Sequence, residues 1–233
     1  YELDTPGHSI HDVWIEDGIA YSSNWADGIV AVDIGAKKHK ESDRSKSQFN
    51  PLLAKAGQGS PSNPVKLAEM KDPTGRNHAA FPYLNEETGQ FYIIGGDENF
   101  PWGVQATKNK PSNPRGGYHF MNFTDPNNPR EDAIYEVPEA GSHNLWIYGD
   151  ILLAGNYQGG LRIVDISGEL LGDIYKQGRE IAHYLSYHKD GRIPNAPMVW
   201  GAQPYKDYIF FSDMNSGLYC VAYEDEQKTA SAE

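Results

Sequence analysis

Two stretches of the chain superimpose without a gap. Residues 11–34, HDVWIEDGIAYSSNWADGIVAVDI, lie over residues 143–166, HNLWIYGDILLAGNYQGGLRIVDI, and the pairs His11/His143, Trp14/Trp146, Asn24/Asn156, Gly28/Gly160 and Asp33/Asp165 all stand 132 residues apart. An internal repeat constrains a fold more than a single motif does, because a unit this short cannot bury a core alone and must stack on its copies. A third copy starts near His78, with Asp97 in the Asn24 place and Gly117 in the Gly28 place. A fourth, WGAQPYKDYIFFSDMNSGLYCVAY (200–223), puts Trp200 where the others have histidine, and Asp213 and Gly217 in the turn. Divided by three, 132 gives 44, close to the ~40–45 residues of a four-stranded propeller blade.

Each copy reads as a strand of alternating apolar residues, a tight turn led by Asn or Asp and ended by Gly, and a second strand such as GIVAVDI or GLRIVDI. The glycine accepts the positive φ that closes such a turn, and Asn or Asp bonds the turn's own backbone. Outer strands follow in NPVKLAEM (63–70) and NPREDAIYEV (128–137), and 24 Gly and 15 Pro punctuate the whole chain into short pieces. The expected fold is therefore all-β: one β-propeller domain over 1–226 with blades near 8–70, 77–137, 141–177 and 197–226, and a disordered tail at 227–233. Four blades are visible, so either four close the ring or the chain is the C-terminal part of a larger propeller. The segments 36–62, 101–115 and 167–197 read as loop insertions, with a short helical turn expected in REIAHYLSYH (179–188).

Composition narrows the partners. Acidic residues outnumber basic ones 32 to 20, a net charge of −12, which argues against nucleic acid, whose phosphates need a basic face. No apolar run approaches the ~18 residues of a membrane span. The first residues, YELDTPGHSI, lack the basic start and apolar stretch of a signal peptide, and they begin in mid-pattern without Met, as if cut from a longer precursor. The single cysteine, Cys220, cannot form an internal disulfide, and its place in the alternating strand GLYCVAY predicts a small buried core residue.

First strands of blades line the central channel, so His11, His78 and His143 are expected at one mouth of it, with Trp200 beside them and His8 one step upstream. Three neutral imidazoles suit Cu, Zn or Fe and leave a position open for a substrate. The plainer reading is that a histidine opening each repeat bonds the backbone of the neighbouring blade. In a six- or seven-blade ring the three would also stand too far apart to share one ion. Asp12 and Asp97 are nearby acids, Asp97 already having a turn role. The i, i+5 spacing of His183 and His188 does not suit a helical metal pair, and His39 sits in a solvated lysine-rich loop. A calcium site would need oxygen clusters that the copies do not show. Trp25, Tyr157, Trp102 and Trp200 are the candidate binding residues, with Trp25 and Tyr157 expected on exposed turns. Trp14 and Trp146 suit either packing between blades or contact with a partner. No nucleophile-elbow, phosphate-loop, zinc-protease or dinucleotide motif is present.

At GIVAVDIG, GLRIVDIS and GLYCVAY the chain resembles the LVIVD-repeat β-propellers, and its closing copy is similar to the last blade of bacterial surface and secreted members. That resemblance implies a propeller fold and an extracellular or periplasmic location, and it brings no catalytic residues. AYSSNWADG (20–28) also resembles, at a greater distance, a phrase of the selenium-binding protein and methanethiol oxidase propellers, which implies a metal held by histidines near the axis. The first functional expectation is a non-enzymatic binding or scaffold protein, whose loops 36–62 and 101–115 face a protein or carbohydrate partner in a multi-protein assembly. The alternative is a metal-dependent oxidoreductase with a histidine site at the channel mouth.

Overall fold

The computed structural model describes residues 9–40, 49–105, 107 and 110–224. It is a four-bladed β-propeller of antiparallel-rich sheets. Blade 1 is β1 (Asp12–Glu16), β2 (Ile19–Ser23), β3 (Ile29–Asp33) and β4 (Val65–Met70), ordered from the axis outward. A short helix, α1 (Pro51–Lys55), lies within the long β3–β4 connection. Blade 2 is β5 (Asn77–Asn85), β6 (Gln90–Asp97), β7 (Tyr118–Asn122) and β8 (Arg130–Tyr135). Blade 3 is β9 (Leu145–Tyr148), β10 (Ile151–Gly155), β11 (Leu161–Asp165) and, outermost, β13 (Glu180–Tyr184). Between its last two strands the chain makes β12 (Gly172–Asp173), which pairs parallel with β8 and fastens blade 3 to blade 2. Blade 4 is β14 (Val199–Tyr205), β15 (Tyr208–Asp213) and β16 (Gly217–Val221).

Turn chemistry explains why the repeat folds this way. Asn24 donates to the carbonyls of Ser22 and Gly28 and accepts from the Ser22 hydroxyl, so its side chain closes the β2–β3 turn. Gly28 has φ of +76°, and a Cβ there would meet the Met70 carbonyl oxygen at 2.3 Å, so both conformation and the neighbouring outer strand require glycine. Asp33 ends β3 and gathers five backbone N–H groups, those of Gly35, Ala36, Gly57, Gln58 and Gly59. It thereby ties the far end of the insertion back to the blade.

Apolar side chains fill the three successive junctions. Ile19, Tyr21, Ile29 and Ala31 of blade 1 pack on Phe91, Ile93 and Met121 of blade 2, with Leu52 and Leu53 of α1 in the same cluster. Tyr83, Ile94, Phe120 and Tyr118 meet Leu145, Leu152 and Val164 between blades 2 and 3. Leu153, Leu161 and Ile163 meet Val199, Ile209 and Phe211 between blades 3 and 4. At the axis, Trp14 of blade 1 reaches Trp146 of blade 3, ring centroids 5.0 Å apart and edge-on, with Phe81 against both. Both tryptophans are thus inter-blade packing residues. A groove of about 480 Å³ is bordered by residues of all four blades, among them Trp14, Phe81, Trp146, Gln203 and Phe211.

Several expectations need correction. Only one copy lies between His11 and His143, so 132 residues span two blades lengthened by insertions, and the division by three fails. The insertion 36–62 is not wholly surface, because α1 buries Pro51, Leu52 and Leu53; residues 41–48 of it lie outside the described residues. REIAHYLSYH contains a strand, not a helical turn: β13 pairs with β11, and the bonding edge that blade 3 leaves open outweighs local preference. Blade 3 therefore runs to 184, past the expected 177. Cys220 is exposed, because β16 is the outermost strand of its sheet and no described strand pairs beyond it. The tail 227–233 lies outside the described residues.

Candidate metal centre at the channel mouth

The repeat brings four side chains to one height around the axis. His11 precedes β1, His78 is the second residue of β5, His143 precedes β9 and Trp200 is the second residue of β14. In blades 2 and 4 the pairing slips at this residue. Asn77 faces Asp97 while Ala79 faces Gly96, and Val199 faces Asp213 while Gly201 faces Ser212, so His78 and Trp200 are the extra residues of bulges. A bulge re-aims a side chain away from the alternation of its strand. The rings then follow one another: His11 to His78 at 3.9 Å between centroids, His78 to His143 at 4.1 Å, and His143 to Trp200 at 5.1 Å with planes only 2° apart. His8 lies outside the described residues.

Each blade adds a second side chain just above the first, from the residue after the turn Asn or Asp. These are Trp25, Glu98, Tyr157 and Met214. Trp25 and Tyr157 hold positive φ, 51° and 39°, a conformation costly for bulky side chains, and their N–H groups donate to the carbonyls of Asn77 and Val199 in the next blade. Their rings stand 4.7 Å from His11 and 5.2 Å from His143. Tyr157 is not exposed as expected: it is 1% accessible, and its hydroxyl donates to the Glu98 carboxylate. Glu98 reaches between two imidazoles, Oε2 at 3.6 Å from His78 Nε2 and Oε1 at 3.8 Å from His143 Nε2. Sequence reasoning did not single out Glu98, although its register with Trp25 and Tyr157 was present in the repeat.

Hydrogen bonding fixes which ring nitrogen is free. His11 Nδ1 donates to the His78 carbonyl at 3.1 Å and His143 Nδ1 to the Trp200 carbonyl at 3.0 Å, each bridging to the next blade. This is the junction role expected for a repeat-opening histidine, and it uses only one nitrogen. With the proton held at Nδ1, Nε2 carries the lone pair. His78 is 1% exposed, and its Nδ1 has no hydrogen-bond partner among the described residues. Burial, together with the adjoining His143 and His11, depresses the pKa of His78 to about 2; burial likewise lowers that of His143 to about 4, against an opposing pull from the Trp200 carbonyl. Both rings are neutral at physiological pH and so available as ligands. Ligating atoms of His11, His78 and Glu98 lie within 4.8 Å of one another.

A cavity of about 550 Å³ opens at Glu98, bordered also by Trp25, Arg76, Phe100, Tyr157, Trp200 and Met214. Three of the four expected binding residues thus meet in one place. Trp102 does not join them: it stands 66% exposed on its loop, with the Arg115 guanidinium 5.1 Å over its ring. Val104 and Ser112 of the 101–115 insertion do border the cavity. Asp12 caps the N–H of Val13, and the Asp97 carboxylate turns away to Thr74 and His119 instead of bonding its own turn. His183 pairs with Glu180 on the outer strand of blade 3, away from the mouth.

No protein-family model and no curated protein matches the chain. Among solved structures it is similar to the computationally designed Ika4 protein, with a TM-score of 0.53, 11% identity and coverage of 96% of both chains. The designed Ika8 protein gives the same score and identity over 95% of this chain, which spans about half (48%) of that one. At such identity the likeness bears on the fold alone, which it supports as a propeller.

Proposed function

We propose that the chain is a metal-dependent oxidoreductase whose ion, copper or iron, is held by His11, His78, His143 and Glu98 beneath an aromatic-walled substrate cavity. One observation carries this reading: His11 and His143 commit Nδ1 to backbone carbonyls, the Nε2 atoms of His143 and His78 face the Glu98 carboxylate, and buried His78 keeps an Nδ1 without a partner among the described residues. Orienting bonds of this kind are what metal-ligating histidines need, and an orphaned buried nitrogen is costly without a ligand. Three nitrogens and one carboxylate oxygen suit Cu or Fe as well as Zn, and a redox-active ion would supply one-electron chemistry there. The protein's own residues do the rest. Tyr157 holds the Glu98 carboxylate in place, Trp25 packs edge-on against His11, Trp200 stacks on His143, and Arg76 offers a cation at the cavity border. The likeness of residues 20–28 to the selenium-binding protein family is a further support.

Tag-free protein should carry one equivalent of copper or iron. That ion should be lost in His143→Ala and in Glu98→Gln, and its reversible redox wave with it. A chain with no such ion, or one whose ion survives both substitutions, would end the proposal. A second reading, a partner-binding scaffold, draws on Trp102, which lies under the Arg115 guanidinium and is presented to solvent. A complex that dissociates in Trp102→Ala but persists without the metal would favour it.

A further inference from the structure

Behind the imidazoles, inside blade 2, a second group of ligating side chains is buried. Asp72 lies in the turn between β4 and β5, Asp97 ends β6 and His119 is the second residue of β7; they are 5%, 2% and 2% exposed. Their ligating atoms lie within 4.8 Å of one another.

The bonds in this group leave particular atoms open. Asp72 Oδ1 accepts from the N–H groups of Thr74 and Gly75 at 2.8 and 3.0 Å. The Thr74 hydroxyl sits between Asp72 Oδ1 at 2.7 Å and Asp97 Oδ2 at 2.8 Å, yet it has one proton and can satisfy only one of them. Asp97 Oδ2 also receives His119 Nε2 at 3.0 Å. The other oxygens, Asp72 Oδ2 and Asp97 Oδ1, are buried and have no hydrogen-bond partner among the described residues. With Glu131 on the far side of the ring, three carboxylates surround a single imidazole. Glu131 reaches solvent, but Asp72 and Asp97 are buried, and their two open oxygens wait for a positive neighbour.

His119 is also arranged as a ligand. Its Nδ1 lies 2.5 Å from Glu131 Oε2, so a carboxylate orients the ring and Nε2 points at the two aspartates. Carboxylate, histidine and ion in a row is a recurring way to hold a metal, the outer carboxylate raising the basicity of the ring. We propose that Asp72, Asp97 and His119 form a second, buried site for a divalent cation such as Mn2+ or Zn2+, with Glu131 as the positioning residue. The ion replaces the proton of His119 Nε2, which leaves to solvent, and it takes up the two open oxygens. The repeat copies carry no shared oxygen cluster, because this one is assembled from a turn and two strands at unlike repeat positions. Its role is structural: it joins the loop leaving blade 1 to the centre of blade 2, one residue from Glu98.

Mn2+ binding to the whole chain tests this, followed by electron paramagnetic resonance and by the thermal unfolding midpoint. The His143→Ala variant removes the channel-mouth centre, and it should still bind one Mn2+ per chain with a raised midpoint. Asp72→Asn keeps the Oδ1 acceptor that the turn needs but replaces the open oxygen by an amide. In the His143→Ala background it should lower affinity at least ~100-fold and abolish the midpoint shift, as should His119→Gln. Circular dichroism of each variant without metal separates lost binding from lost folding. If His143→Ala alone removes all Mn2+ and Zn2+ binding, the second site does not exist while the first stands. Binding that persists unchanged in folded Asp72→Asn and His119→Gln would equally overturn it.

Discussion

The imidazole of His143 and the indole of Trp200 are parallel to within 2°, and the same histidine donates Nδ1 to the Trp200 backbone carbonyl at 3.0 Å. One residue of blade 4 thus fixes both the plane and the tautomer of a histidine in blade 3. The fourth copy, lacking a histidine of its own, serves to orient that of its neighbour.

That dependence can be tested without touching a ligand. A Cβ at Gly155 would meet the Trp200 carbonyl oxygen at 2.4 Å, so Gly155→Ala must push the opening of β14 away from blade 3. Overpacking of this kind costs about 1–3 kcal/mol of stability. Loss of an orienting bond lowers ion affinity ~10-fold or more. Denaturant unfolding and competition with a chelator measure the two effects. Unchanged affinity in a destabilised variant would separate Trp200 from the site.

Tyr157→Phe removes only the hydroxyl that donates to Glu98. The ring keeps its edge-on packing against His143 and Phe100. A hydrogen bond to a charged acceptor contributes about 1.5–3 kcal/mol, so urea unfolding of the metal-free variant should show a loss of that order. Ion affinity should fall as well, because Glu98 is freed to rotate. A variant as stable as the parent would mean that Glu98 is held by something else.

In the metal-free protein the histidines give stability an asymmetric pH profile. His78 and His143 have folded values near 2 and 4 against about 6.5 when unfolded. The unfolded chain therefore takes up their protons first, and stability falls as pH drops below about 6.5, by about 1.4 kcal/mol per unit for each ring. His119 has the opposite sign. Burial opposes its charge, but the hydrogen bonds to Asp97 and Glu131 prevail and raise its pKa to about 10. Its contribution is complete below about 6.5 and is lost as pH rises toward 10. Unfolding free energy should peak close to neutrality and decline on both sides. A curve still rising as the pH falls from 6 to about 4 would contradict neutral imidazoles at the mouth.

The blade architecture was legible because turn chemistry recurs in register: Asn24, Asn156, Asp213 and their glycines mark each unit whatever lies between. The convergence of His11, His78 and His143 followed from the same register. Glu98 was hidden because its equivalents are Trp25, Tyr157 and Met214, and a search for like residues at like places passes over a position where chemistry differs. Asp72 and His119 were hidden for another reason. They share no repeat position and meet only through the pairing of β6 with β7 and the return of the chain from β4. Strand β13 and exposed Cys220 depended on which sheet edge was open, a property of assembly that no local pattern carries.

X-ray absorption at the metal edge tests the central claim most directly. The bound ion should show a first shell of three imidazole nitrogens and one carboxylate oxygen at ~2.0–2.2 Å, with one imidazole fewer in His78→Ala. A shell without imidazole scattering, or one unaltered by that substitution, would contradict it.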